Sequence, residues 1–356
     1  MHARKHIPPK SWADWVREVP GMHVLVSNFG SYVGKKSERL VVKENGQVVA
    51  EVPFHDVEQV TIATAGASLS TDVIRECADQ GIQINFISSS GEPFAKVISP
   101  GLTGTVITRR EQMKAYDDER GVKFIRATIE GKLRNQGNVL KYFAKYRRET
   151  DRQAYEMLYD AANKMEGIRA ELDRLDGRCI DDIRAQFMSI EGRGANVYWD
   201  EVKNILTPKV DFPGREHRGA ADPVNSLLNY GYAILYHQVT GALVSAGLDP
   251  FAGFLHVDRP GKLSLAYDFV EEFRPVVVDR LVIAMVTKGG PPEMDGEKLA
   301  DEFKKDFSKR ILDRFEDQER YEAKKHKIKT IIQMQARHLV MFLRREGGYR
   351  PFVAGW

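Results

Sequence analysis

The stretch Ser99-Pro100-Gly101-Leu102-Thr103-Gly104 separates two kinds of residue pattern in this chain of 356 residues. Before it, short apolar runs alternate with turn residues, which is typical of strands; after it, apolar residues recur at helical spacing. One proline and two glycines within six residues favour neither element, so the stretch is interpreted as a linker. Strands followed by helices predict an α+β fold, with a small N-terminal β-rich domain and a larger all-α domain.

These changes of pattern set the predicted bounds. An unassigned lead-in covers residues 1–21, the β-rich domain residues 22–99, the linker residues 100–104 and the helical domain residues 105–356. The β-rich domain has no cluster of His, Asp or Glu of the kind that binds a metal ion, so we expect it to serve as a scaffold or in dimerisation.

Turn and capping residues support the β-rich assignment. In the run 40–52, Asn45-Gly46 lies between apolar flanks, and Asn-Gly readily adopts the positive φ angles of a tight hairpin turn. Ser70 or Thr71 is placed to cap a short helix over residues 72–80, which Gly81 ends. The run 22–26 predicts a further strand.

The helical pattern begins near residue 105 and continues almost to Arg345. Apolar residues between Arg110 and Tyr146 follow the spacing of amphipathic helices. Glycines are predicted to interrupt this segment, at Gly121, Gly131 and Gly137.

Composition excludes several classes of protein. No run of about 18 or more apolar residues occurs, which argues against a membrane span, and the N-terminus has no apolar signal core. We therefore expect a soluble, cytoplasmic protein. Cys77 and Cys179 are too far apart in sequence to suggest a zinc cluster or a redox pair.

Charge is segregated along the chain, although the formal net charge is only +3. Residues 105–148 contain 12 Lys/Arg and 5 Asp/Glu. Residues 303–346 contain 13 Lys/Arg and 7 Asp/Glu. Two separate basic segments of this kind could bind the phosphates of a nucleic acid. The alternative is that they are ordinary helix faces exposed to solvent.

Two segments of the helical domain carry polar residues in apolar surroundings. Glu191 lies between an apolar stretch and a run of small residues, so its carboxylate is a candidate for contact with a ligand; an ordinary surface glutamate is the alternative. The run 222–247 predicts a helix with Asn225, Asn229 and Tyr230 on or near one face. Those asparagines serve either as structural hydrogen-bonding groups or in positioning a carboxylate or a nucleic-acid strand.

A third segment, residues 253–275, is the most informative. His256 ends an apolar approach, and Ser264 is placed to cap a helix on which Asp268 and Glu271 share a face at i, i+3. Two desolvated carboxylates repel each other unless a cation lies nearby. Oxygen ligands with one imidazole suit Mg²⁺ or Mn²⁺. The alternative from spacing alone is a network of these acids with three arginines, Arg259, Arg274 and Arg280.

The ordered set of these motifs resembles the CRISPR-associated integrase of the adaptation module, the Cas-one family. The resemblance rests on Glu191, Asn225-x-x-x-Asn229-Tyr230, Gly253-Phe254-Leu255-His256, and the run from Ser264 to Pro275, and it extends from about Met22 to Phe352. The lead-in has no counterpart in that family.

The resemblance implies a metal site and an activity. Glu191, His256 and an acid of the third segment would hold Mg²⁺ or Mn²⁺, with Glu271 ranked before Asp268. The activity implied is insertion of short DNA fragments into a repeat array, with DNA cleavage as its hydrolytic counterpart. A histidine is a ligand only when its coordinating nitrogen is unprotonated, so activity is expected to fall at acid pH.

The resemblance also implies partners: double-stranded DNA, a second copy of the chain in a homodimer, and a small ferredoxin-like second adaptation subunit. Arg259, Lys262, Asn225 and Asn229 are candidate DNA-binding residues, and the two basic segments would bind the DNA backbone. Two other functions stay open on the residues alone, a non-catalytic nucleic-acid-binding scaffold and a metal-dependent RNA nuclease.

Overall fold

A computed structural model describes residues 22–87, 93–97, 106–216, 222–257, 259–296 and 298–355. The predicted lead-in and linker therefore lie outside the described residues. The chain divides into two compact units. The first reaches Asn85 and takes in Lys96, and the second contains the described residues from Val106 onward. The domain bounds and the dimerisation role remain predictions.

The first part of the chain contains two four-stranded sheets and one helix. One sheet has the order β1-β5-β7-β8 and the other the order β4-β3-β2-β6. The elements are β1 (Met22–Val26), β2 (Tyr32–Lys36), β3 (Arg39–Glu44), β4 (Gln47–Pro53), β5 (Val57–Ile62), β6 (Ser68–Leu69), α1 (Thr71–Gln80), β7 (Gln83–Ile87) and β8 (Pro93–Val97). This β-rich N-terminal region confirms the first half of the predicted fold.

Local signals in this region act as expected. Asn45 and Gly46 have φ angles of 49° and 79° and connect the antiparallel strands β3 and β4. The Ser70 side chain accepts a hydrogen bond from the Val73 amide at the start of α1, and Gly81 ends that helix in the left-handed region at φ 74°. Hairpin and helix thus follow from turn and cap chemistry.

The remainder of the chain is mostly helical, as predicted. Its helices are α2 (Val106–Tyr116), α3 (Glu119–Lys145), α4 (Arg152–Ala170), α5 (Ile180–Leu206), α6 (Pro223–Ser245), α7 (Ser264–Val270), α8 (Arg280–Gly289), α9 (Asp301–Glu316) and α10 (Ile328–Leu343). Two short antiparallel hairpins, which the helical pattern concealed, pair β9 (Met294–Asp295) with β10 (Lys298–Leu299) and β11 (Gln318–Tyr321) with β12 (Lys324–Lys327).

The predicted interruptions in the first helical segment are wrong. Gly121, Gly131 and Gly137 all lie inside the continuous helix α3. A Cβ atom at Gly131 would stand 2.7 Å from Pro351 Cβ, so this glycine serves close packing rather than a break. Burial of one helix face outweighs the low helix propensity of glycine here.

No helix among the described residues is long and apolar enough to cross a membrane.

Candidate active site on helices α3, α5 and α7

Asp268 is a buried carboxylate of α7 that faces the turn before the helix. Its Oδ2 atom accepts hydrogen bonds from the Phe254 amide at 2.6 Å and from the Leu255 amide at 3.1 Å. Its Oδ1 atom accepts from the His256 amide at 3.1 Å and lies 2.7 Å from the His256 Nδ1 atom. Four donors therefore converge on one side chain, whose exposure is 0%.

This arrangement fixes the orientation and the tautomer of His256. Three main-chain amides already donate to Asp268, so its carboxylate acts as the acceptor and the His256 Nδ1 atom as the donor. In a neutral imidazole of this tautomer, the Nε2 atom has the free electron pair with which histidine binds a metal ion. The imidazole is 30% exposed, so a ligand is able to reach it.

Two further residues hold the turn that carries the histidine. A Cβ atom on Gly253 would stand 2.6 Å from the Ser264 carbonyl carbon, so only glycine fits where the turn crosses the start of α7. On α5, the Arg184 guanidinium donates to the Phe254 carbonyl at 2.8 Å and to the Leu255 carbonyl at 2.5 Å. Ser264 itself is the first residue of α7 and does not cap it, contrary to the prediction, because Leu263 occupies the N-cap position.

A lysine brings two distant carboxylates together. The Nζ atom of Lys132, on α3, lies 2.5 Å from Glu191 Oε1 on α5 and 2.7 Å from Glu271 Oε2 at the end of α7. The two carboxylate oxygens are therefore no farther apart than the sum of 2.5 and 2.7 Å, which is 5.2 Å. The exposed fractions are 10% for Lys132, 21% for Glu191 and 6% for Glu271, so water screens this trio only weakly.

Arg274 supports Glu271 from the other side. Its Nη1 atom donates to Glu271 Oε1 at 2.6 Å, and its Nη2 atom donates to the Tyr236 hydroxyl. The guanidinium also lies 4.7 Å from the centroid of the Tyr232 ring, which favours a cation–π contact. A π-helical turn, Pro275–Asp279, follows directly, and such turns are frequent at functional sites.

These contacts keep Glu271 ionised. Burial alone raises the pKa of this carboxyl, but the charges of Arg274 and Lys132 outweigh burial and lower the pKa to about 2. For Lys132, burial by itself lowers the pKa. The negative charges of Glu191 and Glu271 have the larger effect and raise that pKa above its ordinary value. Glu271 is thus an anion, and Lys132 a cation, throughout the physiological range.

The residues suit a hard divalent cation. Two carboxylates and one imidazole are the ligand types that Mg²⁺ and Mn²⁺ accept. Within the described ranges, the Lys132 ammonium group is the near neighbour of the buried Glu271 Oε2 atom, at 2.7 Å. Within the same ranges, no three His, Cys, Asp or Glu side chains already converge as metal ligands. The Lys132 ammonium group instead occupies the place between the carboxylates.

The two asparagines of α6 bind an arginine. Asn225 Oδ1 accepts from Arg215 Nη1 at 2.8 Å, and Asn229 Oδ1 accepts from Arg215 Nη2 at 2.7 Å. Arg215 lies 5.3 Å from the centroid of the Tyr232 ring, on which Arg274 also packs. The asparagines therefore contact the site indirectly, and their assignment to DNA binding stays a prediction.

Arg259 and Lys262 lie on the turn before α7 and line a pocket with Phe251 and Pro260. Arg259 is exposed, and the Lys262 ammonium group lies 5.4 Å from the centroid of the Tyr267 ring. Both cations are accessible from solvent, as contact with a phosphate requires; this role too is untested.

Lys132 and Arg184 were missed by the sequence reasoning. A signal for Lys132 exists, because it follows Ile125 and Ile129 at the spacing of the buried face of α3. A charged residue on an apolar helix face requires a buried partner of opposite charge. Arg184 carries no comparable signal, since its contacts with the histidine turn are to main-chain carbonyls, which spacing does not predict, and its acidic partner Asp181 is an ordinary i, i+3 neighbour.

Glu272, next to Glu271, faces away from this site and binds the C-terminal segment. Its carboxylate accepts from the Tyr349 hydroxyl at 2.5 Å, the Phe352 amide at 2.8 Å and the Gln335 amide nitrogen at 3.0 Å. Burial nevertheless raises the pKa of Glu272 to about 8, because these donors offset burial only in part. The residue anchors the chain end behind the helix that carries Glu271.

The raised pKa of Glu272 predicts that the free energy of unfolding depends on pH. Between the ordinary pKa of 4.5 and about 8, the folded state binds more protons at Glu272 than the unfolded state does. The free energy of unfolding should therefore fall as pH rises from about 4.5 through 8, and Glu272→Gln should flatten this slope. Urea unfolding at pH 5 to 8 in EDTA measures both, with Glu156→Gln, an exposed residue of α4, as the control. Equal slopes in parent and Glu272→Gln would contradict the assignment.

Together these features define a class of protein: a β-rich region followed by a helical one, in which Lys132 of α3 contacts Glu191 of α5 and Glu271 at the C-terminal end of α7, while Asp268 of α7 holds His256 of the preceding turn. Known proteins share this architecture. The family profile described as CRISPR associated protein Cas1 matches residues 24–317. A relative from Archaeoglobus fulgidus, described as CRISPR-associated endonuclease Cas1 1, is 35% identical over 347 residues, covering 94% of this chain and 100% of that protein.

Two solved structures have a similar fold. A casposase bound to integration product gives a TM-score of 0.73 at 21% identity, over 92% of each chain. A chain of a Cas6-RT-Cas1--Cas2 complex gives a TM-score of 0.75 at 17% identity, covering 94% of this chain and 36% of that one. The chain belongs to the Cas1 family of CRISPR-associated proteins.

Proposed function

We propose that this chain is a divalent-metal-dependent DNA endonuclease and integrase that inserts short fragments into a CRISPR repeat array by phosphodiester transesterification. One observation carries the proposal: Glu191 and Glu271, 80 positions apart in sequence, meet at one lysine, and Asp268, three residues before Glu271, holds the His256 ring. Its family membership supports the same activity, because relatives of this chain are described as endonucleases.

In this proposal Glu191, Glu271 and His256 Nε2 would hold Mg²⁺ or Mn²⁺. Asp268 is a positioning residue, because all its hydrogen-bonding capacity toward the turn 254–256 is already used. Glu271 Oε2 is held by the Lys132 ammonium group, whose place a cation would take, and so Glu271 is favoured as the third ligand. The bound cation would polarise a phosphoryl oxygen and favour the deprotonated nucleophile, a DNA 3′-hydroxyl or a water.

The chain's own groups prepare the site for this chemistry. Asp268 holds the histidine in the coordinating tautomer, and Arg274 and Lys132 keep Glu271 ionised. Once the carboxylates bind a metal ion, the Lys132 ammonium group is available to a phosphate oxygen of the DNA. Arg259 and Lys262 would hold the DNA backbone on the turn beside the histidine.

The proposed assembly is a homodimer with a small ferredoxin-like second subunit, acting on double-stranded DNA in the cytoplasm. A Cas1 chain in a complex with Cas2 among the solved structures of similar fold supports the second subunit.

Glu191→Ala and His256→Ala test the activity. Each variant, incubated with Mn²⁺, a plasmid and short duplexes, is expected to lose cutting and joining, because each removes a ligand. Asp200→Ala, an exposed acid on the same helix α5, should retain both activities. Undiminished joining and cutting by either site variant would overturn the proposed site. A matched RNA duplex tests the RNA nuclease alternative, which predicts cleavage of RNA in preference to DNA.

A second candidate is a non-catalytic nucleic-acid-binding scaffold. The observation that favours it is that Lys132 and Arg274 already supply two positive charges for the two carboxylates, as a structural network requires. Isothermal titration separates the two: the scaffold predicts DNA binding without any binding of Mn²⁺ or Mg²⁺.

A further inference from the structure

The basic excess of residues 303–346 is unevenly distributed in space. Most cations of α9 and of the start of α10 have a neighbouring acid. The pairs are Lys304 with Asp301 at 3.2 Å, Lys305 with Glu302 at 3.0 Å, Arg310 with Asp306 at 2.7 Å, Arg314 with Glu319 at 2.7 Å and Lys329 with Glu316 at 2.7 Å. Local ion pairs thus neutralise most of the helical charge. Apart from Lys309 and Arg337, which are exposed and have no acidic oxygen within 4.0 Å among the described residues, the excess charge lies elsewhere.

That excess lies on the hairpin of β11 and β12. Arg320, Lys324 and Lys325 are exposed, and none of them has an acidic oxygen within 4.0 Å in the part of the chain that the structure describes. The strand register places Arg320 directly opposite Lys325. Two like charges in this relation destabilise a hairpin, so an anion that binds both would relieve a repulsion.

The turn of this hairpin is also unfavourable. Glu322 and Ala323 have φ angles of 47° and 65°, the left-handed values of a tight two-residue turn that Asn and Gly normally supply. Asn45 and Gly46 supply them in the β3–β4 hairpin of the same chain. Neither the turn residues nor the opposed charges therefore favour folding of the β11–β12 hairpin. Non-glycine residues held at positive φ angles are often found at functional sites.

The opposite face of the hairpin is firmly anchored. The Tyr321 hydroxyl hydrogen-bonds to His338 Nδ1 at 3.0 Å and donates to Gln335 Oε1 at 3.3 Å, and its ring packs edge-on against Phe352 at 6.0 Å. Because side chains alternate along a strand and directly opposed residues share a face, Arg320 and Lys325 point away from this anchored face. Lys324 is opposite Tyr321 and extends into solvent from the end of the hairpin beside the turn. The Glu322 carboxylate lies 3.6 Å from His338 Nε2. The hairpin is thus a fixed element with Arg320 and Lys325 on its outer face and Lys324 at its turn.

We propose that Arg320, Lys324 and Lys325 bind the phosphate backbone of duplex DNA. The inference rests on the proposed function and assigns one DNA-contacting element within the basic segment. A duplex offers closely spaced phosphates along each groove, so neighbouring cations on one rigid surface bind it without reading bases. Binding then releases condensed counterions, which makes the affinity dependent on salt.

The test is the salt dependence of binding to a fluorescent duplex, measured by anisotropy in EDTA so that cleavage does not interfere. Each lost phosphate contact lowers the slope of log K against log salt by about 0.9. The triple variant Arg320→Gln, Lys324→Gln, Lys325→Gln is expected to lower it by roughly 2 to 3 and to weaken binding at least about tenfold near 0.1 M salt. The single variant Lys325→Gln should lower the slope by about 0.9 without loss of thermal stability, since it removes the repulsion from Arg320.

Two controls complete the design. The triple variant Lys304→Gln, Lys305→Gln, Arg310→Gln removes as many charges from ion-paired positions of α9 and should leave the slope nearly unchanged. Ala323→Gly keeps every charge and relaxes the turn, so it should bind as the parent does. An unchanged slope in the hairpin variants, with binding by the parent intact, would overturn the hairpin assignment alone. Failure of the parent to bind duplex DNA would overturn the proposed function as well.

Discussion

Replacing Lys132 with methionine is expected to lower the free energy of unfolding of the metal-free protein by about 3–5 kcal/mol, the usual cost of removing one partner from a buried ionic network. The substitution leaves Glu191 and Glu271 close together without the cation between them. Arg274 still contacts Glu271, but Glu191 has no second cation within 4.0 Å among the described residues.

The loss of stability in Lys132→Met should be smaller when a divalent metal ion is bound. If Mn²⁺ takes the place of the ammonium group, saturating Mn²⁺ should restore most of the stability of Lys132→Met, because the ion binds only the folded state. Urea unfolding in EDTA and in Mn²⁺ measures the two values. If Lys132→Met is destabilised by the same amount in EDTA and in Mn²⁺, the metal ion does not take the place of the lysine ammonium group.

Lys123→Met is the matched control. Lys123 lies on the same helix α3 and pairs with Glu119 at 2.8 Å, but both side chains are more than half exposed. Such a surface pair contributes at most about 1 kcal/mol, and its removal should be insensitive to Mn²⁺. Addition of Glu191→Gln to Lys132→Met should recover part of the lost stability, since it removes one of the uncompensated charges.

Replacing Asp268 with asparagine is expected to weaken Mn²⁺ binding by roughly 10–100-fold, the usual effect of losing the residue that orients a ligating histidine. An asparagine offers one acceptor oxygen where the structure has two, and its amide nitrogen would face donors from the turn 254–256. The His256 ring then loses the partner that fixes its tautomer.

Isothermal titration with Mn²⁺ measures this effect, and Asp200→Asn on α5 serves as the exposed control. A positioning role predicts that the same number of ions binds more weakly in Asp268→Asn. Undiminished affinity would contradict the role given to Asp268. Complete loss of binding, equal to that of Glu271→Ala, would place Asp268 among the ligands instead.

The same two residues show how far spacing predicts a site. The i, i+3 relation predicts that Asp268 and Glu271 share one face of an apolar helix, and the structure has Asp268 inside α7 and Glu271 at its C-cap position. The spacing did not distinguish the role of Asp268 from that of Glu271, because the roles depend on which groups each side chain contacts. Asp268 meets main-chain amides of the preceding turn, whereas Glu271 meets Lys132 and Arg274.

The sequence by itself determined that a β-rich region precedes a helical one, and it determined the Asn45-Gly46 turn and the capped helix α1, because these depend on residues close together in the chain. It did not reveal the short hairpins of the helical region or the continuity of α3 through three glycines, since packing overrides local preference there. Only the tertiary structure placed Lys132 against Glu191, which lies 59 residues away. Desolvation and charge decide such a contact, and both depend on the assembled core rather than on spacing.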